Sequence, residues 1–383
     1  MNAHDRNQPP RMMQITTFYD AYLRALYAAH PRLAQESCRR QTEVIIRDAF
    51  SGIHTLTPYL PKRHMEAEFV VGNCFPLQAA WATEHGLTGF TKDWQDDLLH
   101  KRIEEFRPDI LYFQDTIRFD ARFLQRLSFT PRLVCGWRGA DIPFDTDWHG
   151  FDLILSGLPR ILALATALGA TDSAYFVPGM PAWIAREVGK IPHEVDVVFV
   201  GGVSPTQHVR RLALLEALAE AATRREFSLE LYLSCDRRLI SEAMQTFVKP
   251  PVFGLDMHRA LRRGRIVFDT RGCIGLLRKD GSRHLDLAGG DTVNMRLFEG
   301  TGGGSLVITD ALPGLSRLFE PGEEVVTFQD EGDLVEKILY YLAHPEEREH
   351  IARKGKERCL TQWNMAARAR EFITIVNRKL TEE

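Results

Sequence analysis

Paired cysteines that could clamp a metal or form a redox disulfide are missing from this chain. The six present (Cys38, Cys74, Cys135, Cys235, Cys273 and Cys359) lie far apart with no Cys-x-x-Cys, and read as separate thiols in a reducing compartment. No run reaches the ~18–20 apolar residues that a membrane span needs. The opening stretch MNAHDRNQPPRMM is polar and holds two prolines, so no signal or transit sequence is expected in it. A cytoplasmic protein is expected, with room for work at a membrane surface. An excess of basic residues is lacking too. A formal net charge of −3 argues against a nucleic-acid binder, which needs a basic surface. Several catalytic signatures are also absent: no His-Glu-x-x-His or other i, i+4 histidine pair, no Gly-x-Ser-x-Gly, no Walker A loop and no Gly-x-Gly-x-x-Gly.

What remains is an ordinary globular composition, 44% hydrophobic and 26% charged, in 383 residues. That length suits two domains of roughly 150–200 residues each. Both halves alternate short apolar runs with amphipathic stretches, as parallel βαβ units do. In the first half the runs are MMQITTF, EAEFVVGN, DILYFQD, RLVCGW and FDLILSG, with a helical AYLRALYAAHPRL after the first. In the second they are DVVFVGG, FSLELYLS, GRIVFDT, SLVITD and EVVTF, with helices at VRRLALLEALAEAATRR and VNMRLFEGT. A long helical stretch from Asp333 breaks near Pro345, and AARAREFITIVNRKL ends the chain as a helix. Prolines and glycines in AYFVPGMPAWIAREVGKIPHE mark a linker between the halves, with a hinge near residues 178–192.

The stretch NMRLFEGTGGGSLVITD, then GLSRLFEPGEEVVTF and DLVEKILYYLAHPEEREHIARKGKERCL, resembles the C-terminal domain of glycosyltransferases grouped with the spore-maturation protein CgeB. FYDAYLRALY, VVGNCFPLQAAWA, RPDILYFQD and FDLILSG extend the resemblance into the first half. It covers most of residues 14–370. The chain departs from the group at Asp269 and Arg271, where Asn-x-His is frequent, and at Trp363, Asn364 and Met365, where His-Thr-Tyr is frequent. The resemblance implies an α/β GT-B fold, with two facing Rossmann-like domains and a cleft between them. The divisions expected are an acceptor domain at 11–187, a nucleotide-sugar-binding domain at 188–361, and a C-terminal helix at 362–383 crossing back to the first domain.

A glycosyl transfer requires a hold on base and ribose, neutralisation of a diphosphate leaving group, stabilisation of an oxocarbenium-like centre and an outlet for the acceptor proton. Glu299 in LFEGTGGGS is the candidate for ribose, because a carboxylate offers two acceptor oxygens to vicinal hydroxyls. Asp291, eight positions earlier, resembles the first member of the acidic pair of retaining glycosyltransferases. Gly201 and Gly202 follow a buried-type strand and suit close approach of a phosphate. Gly303, in the run 302–304, exposes backbone in the same way. Among many arginines that read as solvated helix faces, Arg210 and Arg296 are the candidates for the diphosphate. Gly254 and Leu255, in FGLDMHRAL, fall where the resemblance puts the base. On the acceptor side Asp115 and Asp20 end strand-like runs, and either could serve as a general base for an inverting enzyme.

The donor half has no Asp-x-Asp metal pair; Asp141, Asp145 and Asp147 lie in the acceptor half. No metal and no cofactor are expected, the nucleotide sugar being a substrate. The acceptor is expected to be a glycan, a lipid-linked molecule or a protein, without nucleic acid. Two other readings share these features: a non-catalytic nucleotide-sugar-binding partner, and a nucleotide-sugar 2-epimerase of the same fold.

Overall fold

The computed structural model describes residues 9–89, 93–204 and 207–381. Most of the polar opening stretch, and Glu382 and Glu383 of the expected terminal segment, lie outside those residues. The first parallel sheet holds β1 (Arg11–Thr16), β2 (Glu66–Val71), β3 (Ile110–Phe113), β4 (Leu133–Trp137), β5 (Leu153–Ser156) and β6 (Asp172–Tyr175), in the order β2-β1-β3-β4-β5-β6. In the second are β7 (Val195–Gly202), β8 (Leu229–Ser234), β9 (Val248–Lys249) and β10 (Gly264–Phe268). A hairpin of β11 (Gly275–Leu277) and β12 (Arg283–Asp286) stands apart. With β13 (Leu306–Asp310) and β14 (Val326–Phe328) the second sheet is also parallel, ordered β14-β13-β10-β7-β8-β9. Helices flank both sheets, and the fold is GT-B, two facing Rossmann-like domains.

The central strands form because both of their faces are covered. β3 (ILYF) and β13 (LVITD) are buried throughout, which is why they read as continuous apolar runs. β6 (DSAY) was not visible in the sequence: it is a short edge strand, only half covered, and carries no apolar run. Near Pro345 the chain leaves the helix Glu331–Ala343, and Pro345 opens the helix Pro345–Thr361. At that first position its missing N–H leaves no bond unmade.

One topological feature positions everything that follows. In the first sheet β2 lies on one side of β1 and β3 on the other; in the second, β8 and β10 flank β7 in the same way. Each sheet reverses its direction of growth there and leaves a crevice beyond the strand C-termini, where open α/β sheets bind ligands. Thr17 and Gln114 edge the first crevice, Gly202 and Asp269 the second.

The halves share a core. Ile15, Phe113 and Ile154 of the first sheet belong to the same buried cluster as Val198, Leu297 and Phe298 of the second half. The connection between them is no loose hinge: the short helix Ala182–Val188 buries Ile184, Ala185 and Val188 in that cluster. Asp141, in the loop between β4 and β5, accepts from Gly275 N at 2.7 Å and from Arg283 at 3.3 Å, fastening the hairpin across the cleft's flank. The last helix, Met365–Thr381, returns to the first sheet, where Phe372 packs on Tyr112 and Phe176 at centroid distances of 5.0 and 6.1 Å. None of the described helices is long and apolar enough to cross a membrane.

Phe372 is fully buried in that seam. Phe372→Ala should lower the unfolding free energy by about 3–5 kcal/mol, as other large-to-small core truncations do. Urea denaturation of the whole chain measures it. A loss below ~1 kcal/mol, the size of an ordinary surface change, would show that the terminal helix is not part of the core.

Candidate functional site

The two switch points face each other across a cleft of about 550 Å³. Thr17, Phe18, Tyr19, Phe50 and Ser51 come from the first half; Gly201, Gly202, Arg211, Asp269, Arg296 and Glu299 come from the second. Chambers of about 310 and 230 Å³ adjoin it, and Thr17 lines all three. The 310 Å³ chamber also holds His54, Gln114, Trp137, Arg271 and Asp291. The 230 Å³ chamber holds Asp115, Asn73, Gln95 and Arg118.

Glu299 lies on the helix Met295–Gly303, 3% exposed, in an ion pair with Arg296 one turn before it. Arg296 also donates through Nε to Val200 O at 2.9 Å, so the helix is pinned to the end of β7. His258 and His54 sit close enough to Glu299 to feel its charge. Burial nevertheless pushes both imidazoles down to about 4, leaving two neutral rings, His54 in the wall of the 310 Å³ chamber and His258 buried next to the cleft-lining Met257. His54 stacks at a tilt on Trp137 with centroids 4.3 Å apart. Its carbonyl accepts from Gln14 at 2.8 Å and Gln114 at 2.7 Å. The loop before it holds Ala49 at φ +65° and Ser51 at φ +56°, a left-handed backbone that non-glycine residues seldom adopt. Such strain places Phe50 against Tyr22 (3.9 Å, stacked) and across the domain boundary against Phe253 (6.0 Å).

Gly201 and Gly202 line the cleft. A Cβ at Gly201 would come within 2.8 Å of the Phe199 ring, so a side chain there would push the strand end away from the cavity. The arginines behave differently from expectation. Successive residues on a helix point about 100° apart, and on the helix Val209–Thr223 it is Arg211, 8% exposed, that turns inward. It donates to Gly202 O at 2.8 Å and Thr270 O at 2.7 Å, and burial lowers its guanidinium to about 10. Arg210 faces a separate pocket and binds Asp310 (3.3 Å) and Gln329 O (2.7 Å).

Within the glycine run, Gly302 has a packing role. Gly302 and Gly303 continue the helix, and Gly304 is its left-handed C-cap at φ +87°. A Cβ on Gly302 would meet Met180 at 2.5 Å. Gly303 does not line the cleft. Gly254 and Leu255 begin the helix Gly254–Arg263 just behind Pro251, Val252 and Phe253, which do line it. Leu255 packs into the shared core, while Gly254, at φ +53°, lets the chain pass Asp48 of the first half.

The candidate acids separate. Asp291 lines the 310 Å³ chamber and pairs with Arg317. Asp115 accepts from Thr17 Oγ1 at 2.5 Å and Arg118 N at 3.1 Å in the smaller chamber. Asp20 is exposed in the first turn of the helix Asp20–Ala29, where a carboxylate favours the helix dipole, and it lines none of the three chambers. Asp141 is committed to the hairpin and Asp147 to His149. Among the described residues no three His, Cys, Asp or Glu side chains gather to hold a metal ion. Asp269, Arg211 and Asn294 of the cleft, and His54 of the 310 Å³ chamber, are residues that the sequence did not single out for the site. Asp269 alone carried a signal there, as an acid directly after a buried strand.

Two Rossmann-like domains with a nucleotide-sized cleft between opposed switch points define the GT-B class. Residues 210–374 match the family model described as glycosyl transferase-like. No curated protein matches the chain. Among solved structures, the chain is similar to Anabaena HepE in complex with UDP-glucose, with a TM-score of 0.57 and 11% identity over 96% of this chain and 100% of that one. AviGT4, a glycosyltransferase involved in avilamycin A biosynthesis, gives a TM-score of 0.56 at 12% identity over 98% and 99% of the two chains. A glycosyltransferase from Rickettsia africae gives 0.55 at 11% over 98% and 100%. At such identities the likeness is one of fold.

Gly254→Ala tests the domain seam. The added Cβ would clash with Asp48 Oδ2 and lie 2.5 Å from its carbonyl oxygen, on a backbone that L-residues resist. The substitution should cost about 1–3 kcal/mol and widen the cleft. A lower melting temperature with a larger radius of gyration by X-ray scattering is expected; an unchanged scattering profile and melting curve would contradict it.

Proposed function

We propose that the chain is a nucleotide-sugar-dependent glycosyltransferase of the group-1, CgeB-like kind that works without a metal. The observation that carries this reading is the Arg296–Glu299 pair beside Gly201 and Gly202, at one switch point and facing the other across the cleft. Residues 11–187 form the acceptor domain, 188–361 the donor domain, and 362–383 the returning helix. The solved HepE complex holds UDP-glucose, and a uridine nucleotide is the first donor to try here.

In this reading the base lies along Pro251–Phe253 and the ribose hydroxyls meet Glu299. The diphosphate lies against the backbone of Gly201 and Gly202, with Arg211 and Arg296 opposing its charge. Two guanidiniums and backbone N–H groups in a partly dry cleft can oppose the negative charge that grows on the leaving group, the task a divalent ion performs elsewhere. The donor sugar extends into the 310 Å³ chamber beside His54 and Asp291. The acceptor, a glycan, lipid-linked molecule or protein, enters by Thr17 and Asp115. Asp115, already accepting two hydrogen bonds, is the candidate base if configuration inverts. Asp20 and Gly303 take no part, and Arg210 supports the site from behind.

Product analysis tests the proposal. Purified protein with UDP-, GDP-, ADP-, dTDP- and CDP-sugars should release a nucleoside diphosphate and pass the sugar to an acceptor or to water, equally well with EDTA present. An epimerised sugar, or no turnover of any donor, would contradict transfer. Loss with EDTA and recovery with magnesium or manganese would contradict the metal-free site.

Glu299→Gln gives a second check. Two charge-assisted hydrogen bonds to ribose are at stake, each roughly 1.5–3 kcal/mol and not additive. The substitution should cost about 2–4 kcal/mol in kcat/KM, roughly thirty- to several-hundred-fold. The 2′-deoxyribose donor should lose much less in the variant than in the wild type. Near-normal kcat/KM would remove Glu299 from the site.

A further inference from the structure

Asp269 directly follows β10 at the switch point, beside the C-terminal end of β7, and it is an unusual residue to find there. It is 1% exposed and yet lines the 550 Å³ cleft. Its carboxylate accepts from Asn294 Nδ2 and, at 2.9 Å, from Thr309 Oγ1. Both donors are neutral, and no ion pair holds Asp269 among the described residues. The charged groups around it are already engaged. Arg211, from the helix Val209–Thr223, gives its Nη protons to two backbone carbonyls. Arg296, from the helix Met295–Gly303, is paired with Glu299. Asp310, at the end of β13, binds Arg210 and accepts from Thr270 Oγ1 at 2.8 Å and Arg271 N at 3.0 Å. His208 shares the cleft and is held neutral by burial.

A second acid therefore occupies the part of the cleft that a diphosphate would fill. Ionised, Asp269 would stand beside phosphate oxygens of the same sign and compete with them for Arg211 and Arg296. Protonated, it removes that repulsion and offers an O–H donor.

We propose that Asp269 takes up a proton from solvent as a nucleoside diphosphate binds, so that donor occupancy and a neutral carboxyl at the end of β10 go together. This rests on the nucleotide-sugar reading above. The direction follows from the surroundings. Burial, chiefly, and the neighbouring Asp310 push the free carboxyl up to about 7, against the opposing effects of Thr309, Arg211 and Arg296. A diphosphate adds like charge and raises it further. Below the free-state value the proton is already present and binding takes up none. Above it, binding must recruit one, and affinity falls by up to about tenfold per pH unit until the bound-state value is passed.

Isothermal titration calorimetry at pH 8 with UDP, GDP, ADP, CDP and dTDP, in two buffers of different ionisation enthalpy, reads proton uptake directly. The wild type should take up close to one proton more than Asp269→Asn, whose affinity should lose the tenfold-per-unit decline above pH 7. Binding with no uptake in the wild type, or equal uptake in Asp269→Asn, overturns this inference and leaves the nucleotide-sugar reading standing. Binding of none of the five overturns both. Should Asp269→Asn fail to fold, Thr309→Val serves instead. It removes a hydrogen bond that favours the carboxylate, so the uptake window must move to higher pH, and an unmoved window overturns the inference.

Discussion

Burying a charge is costly unless a partner offsets it, and the pairing of Glu299 with Arg296 is the interaction on which the cleft depends. Taking one charge out of water costs several kcal/mol, and only a close partner offsets it. Here the partner lies one helical turn away and also grips the carbonyl of Val200 at the end of β7. The ion pair thereby fixes the helix Met295–Gly303 to the strand whose C-terminus opens onto the switch point. Losing either side chain would strand a buried charge and free one wall of the cleft from the other.

The remaining walls follow from the shared core. Because the central cluster runs from Ile15 to Phe298 without a break between the halves, the cleft is a gap in a continuous packed body. Such packing transmits strain and favours small rigid-body adjustments over wide hinge opening. The Asp141 clamp on the hairpin and the return of the last helix to the first sheet act in the same sense. The strained turn at Ala49 and Ser51 presses Phe50 against Phe253 at the seam, close to where the two halves offer their ligand-facing loops.

The fold was legible because parallel strands buried on both faces leave continuous apolar runs, and because Pro345 and the glycines punctuate the chain between them. Glu299 stood out in the stretch that carries the resemblance, Arg296 as the arginine one turn before it, and Gly201 and Gly202 as glycines directly after a buried-type strand; the structure brings the four together in one cleft. Other features were hidden for physical reasons. Which of Arg210 and Arg211 faces the cleft depends on helical phase, and an apolar pattern fixes a helix start too loosely to decide a 100° rotation. His54 reaches the site from an irregular loop that has no periodicity to read. The glycines at 302–304 read as a backbone open to ligand, but close approach of Met180 is what calls for Gly302. Asp269 looked like a departure from a family pattern, and only three dimensions reveal it as a buried acid in the cleft.

The central claim is that the Arg296–Glu299 wall receives the ribose end of a nucleotide sugar. A crystal structure with the tightest-binding nucleoside diphosphate tests it most directly. The base should lie along Pro251–Phe253, both ribose hydroxyls within hydrogen-bond distance of the Glu299 carboxylate, and the diphosphate over Gly201 and Gly202 beside Arg211. A nucleotide seated in the pocket of Arg210 and Arg283, or one whose ribose lies away from Glu299, would contradict it.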